Sequence, residues 1–212
     1  SDIVDKDKFS EVSLSNAMGS DGTLYAVPKD KDTVGLVYNK EMFDAAGVAY
    51  PDENWTWDDL VSASEKIHAA TGKYGYMAYA DDQLGYWNFV YQAGGYILNE
   101  DKTKAGFTQP ATEKAMKFYI GLQQNDWCPD QTYFAETAPG TAFFSEKGAM
   151  FLEGDWNILA ELQNYPEMVG KWDVAVLPKC PDPESGDGRA TISNGLCYAT
   201  AANNKNLDTV KD

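Results

Sequence analysis

A tryptophan beside an acid, on a turn of the chain, is the residue of this sequence with the clearest chemical use. An apolar run over residues 149–152 ends at Glu153 and Gly154, and a helix is predicted to begin at Trp156. Turns of this kind usually lie at the surface, and a tryptophan that serves only the core needs no such position. We therefore expect Trp156, with Asp155 beside it, to present the face of its indole ring to a ligand.

The charged residues narrow the class of ligand that this ring could meet. The 212 residues carry 33 acidic and 17 basic side chains, a net charge of −16, which repels nucleic acid and anionic membranes. Arg189 is the only arginine, and the planar guanidinium is the usual group for tight recognition of carboxylates and phosphates. His68 is the only histidine, and no spacing matches a zinc or calcium site. A neutral or weakly polar ligand is expected, with no metal, no cofactor and no nucleic-acid partner.

The sequence leaves the cellular compartment open. No apolar run approaches the roughly 18 residues that span a bilayer, and no basic-then-apolar stretch opens the chain. We interpret this as a soluble chain whose signal peptide has been removed or lies outside these residues. Cys180 and Cys197 flank a polar loop between two predicted strands. They form either a disulfide bridge in an oxidising compartment or, with Cys128, three separate thiols.

Hydrophobic periodicity predicts strands that alternate with helices, the pattern of an α/β fold. Thr56 followed by Asp59 predicts a capping pair at one helix start, and Gly72 is expected to end that helix. The strands are expected at residues 24–28, 34–38, 74–79, 149–152, 172–177 and 195–199. The helices are expected at residues 40–46, 57–71, 86–93, 108–124, 142–147 and 156–164, with a last one opening near residue 203.

The order of motifs along the chain resembles one known protein family. The segments that carry the resemblance are L-Y-A-V-P, L-V-Y-N-K-E-M-F, A-G-V, W-T-W-D-D-L, G-Y-W-N-F-V-Y-Q-A-G-G, F-F-S-E-K-G-A-M-F-L-E-G-D-W and V-A-V-L-P. Together they resemble the family 1 extracellular solute-binding proteins, the carbohydrate receptors of bacterial ABC importers, which include the maltose-binding proteins. The resemblance implies a type II periplasmic-binding-protein clamshell, whose two lobes close on a neutral mono- or oligosaccharide and present it to a membrane permease.

The resemblance also implies a division of the chain. Residues 28–193 would form a largely complete C-terminal α/β lobe. Residues 1–27 would be a remnant of the N-terminal lobe with the first crossing, and residues 194–212 would hold the second crossing with a returning strand and helix. Most of the N-terminal lobe would be absent. The protein would be a monomer outside the cytoplasm, either in a periplasm or lipid-anchored at the outer face of the cell membrane.

Three residues match sugar contacts of that family. Trp156 matches its stacking aromatic residue, Trp87 matches the aromatic residue at the start of a helix that precedes Gly-Gly, and Asp82 matches an acid that binds sugar hydroxyls. The C–H face of a pyranose can lie on an indole, while a carboxylate accepts hydroxyl hydrogen bonds in fixed directions. The maltose-type pattern has an aromatic residue at the position of Leu84, and its replacement argues against a long malto-oligosaccharide.

Other interpretations of these residues stay open. Trp87 could face the core, Asp82 could lie in a solvated turn, and Asp155 could cap the helix rather than contact ligand. Asn194 and Gly195 lie at the predicted second crossing, where a glycine able to adopt positive φ would absorb hinge rotation, although a plain turn explains them as well. Tyr38, Tyr79, Asn194 and Gly195 complete the candidate ligand contacts, whereas Trp55, Trp57, Trp127 and Trp172 are expected to pack in the core.

A binding protein is the function that the sequence favours, and no enzyme activity is predicted. The chain has no G-x-S-x-G motif and no phosphate-binding loop. A glycoside hydrolase remains an alternative and would use two of Asp82, Glu153 and Asp155 as acid and base. A receptor of the same fold for amino acids, peptides or metal–anion complexes is a second alternative, against which the scarcity of Arg and His argues.

Overall fold

The computed structural model describes residues 4–206 and 209 and shows strands and helices in alternation. The α/β class predicted from the sequence is confirmed. In chain order the elements are α1 (Glu11–Ala17), β1 (Val27–Pro28), β2 (Asp32–Asn39), α2 (Lys40–Ala46), α3 (Trp57–Thr71), β3 (Tyr74–Tyr76), α4 (Trp87–Gln92), α5 (Pro110–Leu122), α6 (Gln131–Glu136), α7 (Pro139–Phe144), β4 (Gly148–Gly154), α8 (Asp155–Asn164), β5 (Trp172–Ala175), β6 (Ser193–Asn194) and β7 (Cys197–Tyr198). Short helical turns lie at Lys6–Lys8, Asp82–Tyr86 and Pro166–Met168.

The chain divides into two compact units. The larger unit is Val34–Ile192, and the smaller unit combines Ser1–Thr33 with Ser193–Asp212. The boundaries predicted from the sequence, after residues 27 and 193, differ from these because β2 belongs to both units. Its first two residues pair with β6 inside the smaller unit, and the rest of the strand enters the sheet of the larger one.

The sheet of the larger unit has the strand order β3-β4-β2-β5. Strands β3 and β4 are parallel, whereas β2 is antiparallel to both β4 and β5. Every residue of β4 is buried, because helices cover both faces of the sheet at this strand. This explains the continuous apolar run that the sequence shows at residues 149–152.

Alternating side chains of the central strands enter two separate cores. Leu36 of β2 and Leu152 of β4 face the core that α2, α3, α4 and α5 cover. Val37 and Phe151 point the other way, into a core that includes aromatic residues of α6 and α7. The period of two along each strand therefore produces a three-layer α/β/α arrangement. As predicted, Trp55, Trp57, Trp127 and Trp172 all pack in or against these cores.

Capping residues at the helix N-termini and glycines at the C-termini explain which helices were predicted best. Helix α3 begins with a complete capping box between Thr56 and Asp59, and it ends at Gly72, which adopts left-handed φ of 67°. Helix α2 has the predicted bounds. Helix α6 was missed, although Asp130 caps it by accepting a hydrogen bond from Tyr133 N–H.

Several predicted strands were too long or misplaced. The strands predicted at residues 24–28, 74–79 and 172–177 shorten to β1, β3 and β5. Beyond these bounds the pairing is reduced to single contacts, such as the isolated bridge of Leu24 to Met18 and the hydrogen bond from Met77 N–H to the carbonyl oxygen of Met150. The strand expected at residues 195–199 is replaced by β6 and β7. The helix expected near residue 203 falls largely outside the described residues; residues 202–203 and 205–206 form turns.

Candidate functional site

Parallel pairing brings the segments that carry Asp82 and Trp156 to one edge of the sheet in the larger unit. Strand β4 ends at Gly154, which pairs with Val34, the residue at which β2 enters this unit. Strand β3 runs parallel to β4, so the chain that follows it leads toward the same edge. We call this the Gly154 edge. The start of α8, with Trp156, lies at this edge. The residues Asp82–Tyr86, which we call the Asp82 turn, pack against β4.

The indole ring of Trp156 folds back over the backbone of Gly154. A Cβ atom at Gly154 would lie 2.2–2.3 Å from three carbon atoms of that ring, far inside van der Waals contact. Side chains in the first turn of a helix lean toward its N-terminus, which explains the direction of the ring. Trp156 nevertheless keeps 39% of its surface exposed and belongs to neither core cluster of the described residues. Its ring therefore rests on backbone with much of its surface open to solvent.

Helix α8 begins one residue earlier than the sequence suggested. Gly154 is the N-cap and Asp155 is the first helical residue, so the interpretation of Asp155 as the capping residue is wrong. No side chain caps this helix start, because the capping position holds a glycine. Asp155 is exposed at the N-terminus of α8, where the helix dipole favours a negative charge.

The two acids that precede and open the Asp82 turn are partly engaged by backbone. Asp81 Oδ1 accepts a hydrogen bond from Leu84 N–H at 2.8 Å, and Asp82 Oδ1 accepts one from Gln83 N–H at 2.6 Å. Both acids are half-buried. Leu84, at the position where an aromatic residue was expected from the resemblance, packs against the core beneath α4 and α5.

Trp87 begins α4 directly after the Asp82 turn. Its side chain is half-buried and belongs to neither core cluster of the described residues. Its Nε1–H is buried and has no hydrogen-bond partner within the described part of the chain. An indole N–H that is removed from water without a partner costs free energy.

The remaining predicted contacts are not all brought to this edge. Tyr79 lies after β3 and stacks edge-on against Phe134, with ring centroids 5.4 Å apart. Tyr38 is buried near the far end of β2, where it pairs with Met150 and contacts Phe43. Four residues of extended strand separate it from Val34, a distance of about 13 Å. The structure thus places Tyr38 in the core, apart from the Gly154 edge.

Asn194 and Gly195 belong to the smaller unit. Asn194 pairs with Asp32 in the β6–β2 ladder. Gly195 does not adopt the positive φ that a hinge role suggested. Instead, a Cβ atom there would lie 2.4 Å from the carbonyl oxygen of Asp30, so close backbone packing explains this glycine.

A buried acid, Glu153, and a half-buried one, Glu161, lie near the start of α8. Glu153 is 6% exposed, and its Oε1 accepts hydrogen bonds from Gly154 N–H at 2.8 Å and from Asn157 Nδ2 at 3.0 Å. Glu153 Oε2 and Glu161 Oε1 lie 3.6 Å and 3.3 Å from the place where a Cβ of Gly140 would be, so the two carboxylates are near neighbours. Burial raises the pKa of Glu153, and the negative charges of Glu161 and Asp81 add to this increase.

We expect Glu153→Gln to stabilise the protein at alkaline pH. A buried carboxyl with a raised pKa is most favourable when protonated, so its contribution to stability is present below the unfolded pKa and is lost as pH rises through the folded pKa. Glutamine keeps an oxygen for Gly154 N–H and Asn157 without the charge. The melting temperature of the variant should exceed that of the wild type by about 2–4 °C near pH 8. This gain should vanish below about pH 4, where the carboxyl is protonated in both states.

A matched exposed acid controls for the change in net charge. Glu65→Gln on the solvent side of α3 removes the same charge from an exposed site and should leave the melting temperature nearly unchanged at either pH. Equal melting curves for the Glu153 variant and the wild type at alkaline pH would contradict the assignment of a destabilising buried charge.

The described residues offer no metal site and no disulfide among the cysteines. Within residues 4–206 and 209 there is no group of three or more His, Cys, Asp or Glu side chains that could hold a metal ion. Cys128, Cys180 and Cys197 are free thiols in this structure. In the same part of the chain, no helix is long and apolar enough to cross a membrane.

Two residues of this site escaped the sequence analysis. Gly154 was noted only as a turn residue, although a glycine two positions before an exposed tryptophan is a usable signal of ring packing on backbone. Gly85 is buried in the Asp82 turn, where a Cβ atom would lie 2.8 Å from the carbonyl oxygen of Tyr79. No local pattern indicates that contact.

Comparison with known proteins decides the family. The family described as "Bacterial extracellular solute-binding protein" has a model that matches residues 1–212. The chain belongs to this family. The resemblance inferred from the order of the sequence motifs is thereby confirmed. Members of this solute-binding family are binding proteins rather than enzymes.

Relatives of this solute-binding protein include several sugar binders. The arabinooligosaccharide-binding protein of Halalkalibacterium halodurans is 28% identical over 181 residues, which cover 81% of this chain and 39% of that protein. The structure of the GacH receptor of Streptomyces glaucescens GLA.O, determined unliganded and with acarbose, is 25% identical with a TM-score of 0.84 and covers 99% of this chain and 52% of that one. The structure of an ABC transporter solute-binding protein of Thermotoga lettingae TMO, bound with α-D-tagatose, is 27% identical with a TM-score of 0.77. The match covers 95% of this chain and 51% of that one.

These likenesses establish the fold and the general class. The fold is that of the type II periplasmic-binding proteins, as the sequence motifs implied. The chain spans less than half the length of the arabinooligosaccharide-binding relative and about half of each structural relative.

Proposed function

We propose that the protein binds a neutral mono- or oligosaccharide at the Gly154 edge and delivers it to the permease of a bacterial ABC importer. Trp156 provides the stacking surface for a pyranose or furanose ring, and Trp87 provides a second aromatic surface. Asp82 and Asp155 accept hydrogen bonds from the ring hydroxyls. The observation that carries this proposal is the partly exposed indole of Trp156, which lies on the backbone at the end of a fully buried strand.

Preorganisation supports a ligand role for Trp156 more strongly than exposure alone. An aromatic ring that must be ordered on binding loses part of the interaction free energy to conformational entropy. Here Gly154 lets the ring settle against the backbone before any ligand arrives. A sugar would then cover the open face of a ring whose orientation is already fixed.

The chemistry of the edge favours a sugar over an anionic ligand. Asp81, Asp82 and Asp155 place several acidic side chains around this end of the sheet. Such a surface repels carboxylate and phosphate groups but can accept hydrogen bonds from neutral hydroxyls. Relatives that bind arabinooligosaccharide, acarbose and tagatose are consistent with this choice.

Binding without catalysis is part of the proposal. Glu153, one of the acids that a hydrolase would use, is buried, and its Oε1 is occupied by hydrogen bonds from Gly154 N–H and Asn157 Nδ2. We further propose that the protein acts as a monomer outside the cytoplasm, in a periplasm or attached to the membrane by a lipid. Steady turnover of chromogenic glycosides that Asp82→Asn abolishes would contradict the binding role.

A ligand panel tests the function directly. We expect neutral sugars, tested on the intact protein (residues 1–212 with any sequence that precedes or follows them), to raise its melting temperature and change its tryptophan fluorescence. At a sugar concentration of 100 times Kd, the stabilisation should be about 2.7 kcal/mol. Amino acids, short peptides and inorganic phosphate serve as controls and should have no effect. A response confined to any of these controls would replace the sugar proposal by a receptor for that ligand.

A further inference from the structure

The buried amide of Asn88 joins two parts of the larger unit that are far apart in sequence. Asn88 Nδ2 donates to the backbone oxygens of Gln83 at 2.7 Å and Gly85 at 3.2 Å, both in the Asp82 turn. Asn88 Oδ1 accepts the backbone N–H of Ile192 at 2.9 Å. Ile192 is the last residue of the larger unit. One side chain therefore connects the turn that carries a proposed ligand contact to the segment by which the chain leaves this unit.

A second contact extends this connection to the point where the chain enters the unit. Thr191 Oγ1 donates to the carbonyl oxygen of Val34 at 2.9 Å. Val34 is the first residue of the larger unit and pairs with Gly154, against which the Trp156 ring rests. Hydrogen bonds thus run from the Asp82 turn through Asn88 and residues 191–192 to the strand start at the Gly154 edge.

The chemistry of the amide explains why an asparagine occupies this position. The turn offers carbonyl oxygens and Ile192 offers an N–H, so the residue between them must donate on one side and accept on the other. An asparagine amide does both, and Asn88 is fully buried, where an unpaired group would cost about 1–3 kcal/mol. A satisfied buried network of this kind allows little independent movement of the segments that it joins.

We propose that Asn88 is a positioning residue that couples ligand contact at the Asp82 turn to the two segments at which the chain enters and leaves the larger unit. The inference rests on the proposed function, because it requires a ligand on the Gly154 edge. A sugar that fixes the turn also fixes the carbonyl oxygens that Asn88 binds, and through them the N–H of Ile192. Coupling of this kind is reciprocal. Loosening the segment at Ile192, by which the chain leaves the larger unit, must therefore weaken sugar binding by the same factor.

Gln92 provides a matched control on the same helix. It lies one turn after Asn88 and is equally buried. Its Oε1 accepts a hydrogen bond from Trp57 Nε1 at 2.7 Å, and its Nε2 donates to the carbonyl oxygen of Ala190 at 2.9 Å. Gln92 therefore joins Ala190, in the segment by which the chain leaves the larger unit, to Trp57 in the core rather than to the Asp82 turn.

Hydrogen–deuterium exchange of the intact protein, with and without the sugar selected by the panel, tests the coupling. In the wild type, saturating sugar should slow exchange at residues 190–193 by about fivefold. Asn88→Leu should bind the sugar about fivefold more weakly and lose this sugar-dependent protection. Gln92→Leu should lower the melting temperature but keep the protection, which a purely structural role for both amides does not predict.

A milder variant covers the case in which Asn88→Leu fails to fold. Thr191 is exposed, and Thr191→Val removes the link to Val34 together with a longer contact, 3.5 Å, from Thr191 Oγ1 to Asn88 Oδ1. The hydrogen bond from Ile192 N–H to Asn88 remains. Sugar-dependent protection should then persist at residues 190–193 but disappear at residues 33–35. Sugar binding to the wild type without protection at either segment, or unchanged protection in the variants, overturns the coupling and leaves the proposed function standing. Absence of any sugar binding to the wild type overturns both.

Discussion

Replacing Trp156 by alanine is expected to weaken sugar binding by at least about tenfold while leaving the fold intact. A sugar face that covers about 60 Å² of the indole contributes about 1.5 kcal/mol at about 25 cal/mol per Å², which corresponds to about tenfold in affinity. The ring belongs to neither core cluster of the described residues, so its removal leaves no cavity there. Isothermal titration calorimetry with the sugar identified by the panel gives the affinity, and circular dichroism gives the melting temperature.

Tyr91→Ala is a suitable control for this change. Tyr91 lies on α4 and is 40% exposed, close to the 39% of Trp156, so the two variants remove aromatic rings of similar accessibility. The control should keep wild-type affinity, because nothing places Tyr91 at the Gly154 edge. Unchanged affinity in Trp156→Ala would remove this residue from the binding site.

The elements that carry local signals could be predicted from the sequence alone. Helix α3 has both halves of a capping box and a terminal glycine within its own residues, so no distant contact is needed to define it. The buried strand β4 could be predicted equally well, because a strand with four consecutive apolar residues must be buried on both faces of the sheet. The motif order identified the family for a related reason, since each motif marks one such locally encoded element or turn.

The arrangement of the site depends on contacts that no local pattern contains. Asn88 meets Ile192 across more than one hundred residues, and the sequence shows only an asparagine inside an aromatic-rich helix. Tyr38 was a candidate contact, but alternation turns it toward the same core as Leu36. The exposure of Trp156 was easier to predict, because it follows from the turn that precedes this residue.

Gly154→Ala is expected to reduce sugar affinity nearly as much as removal of the indole itself. Gly154 has φ of −88° and ψ of 148°, which alanine adopts without strain, so the backbone tolerates the substitution. The new methyl group would lie 2.2–2.3 Å from three atoms of the Trp156 ring and must displace it. The ring then loses its fixed orientation while remaining chemically intact. Calorimetry should show a loss of about tenfold, and tryptophan fluorescence of the sugar-free protein should change.

Gly121→Ala is the matched control, because a Cβ atom there meets nothing within 4 Å and the residue lies inside α5. This control should keep the sugar affinity and gain up to about 1 kcal/mol in stability. The double variant Gly154→Ala/Trp156→Ala separates the two explanations for a weakened Gly154 variant. If the methyl group acts only through the ring, the double variant binds no more weakly than Trp156→Ala alone. Additive losses would mean that Gly154 contributes to binding independently, for example by allowing the ligand to approach the backbone, and would contradict its role as the support of the indole.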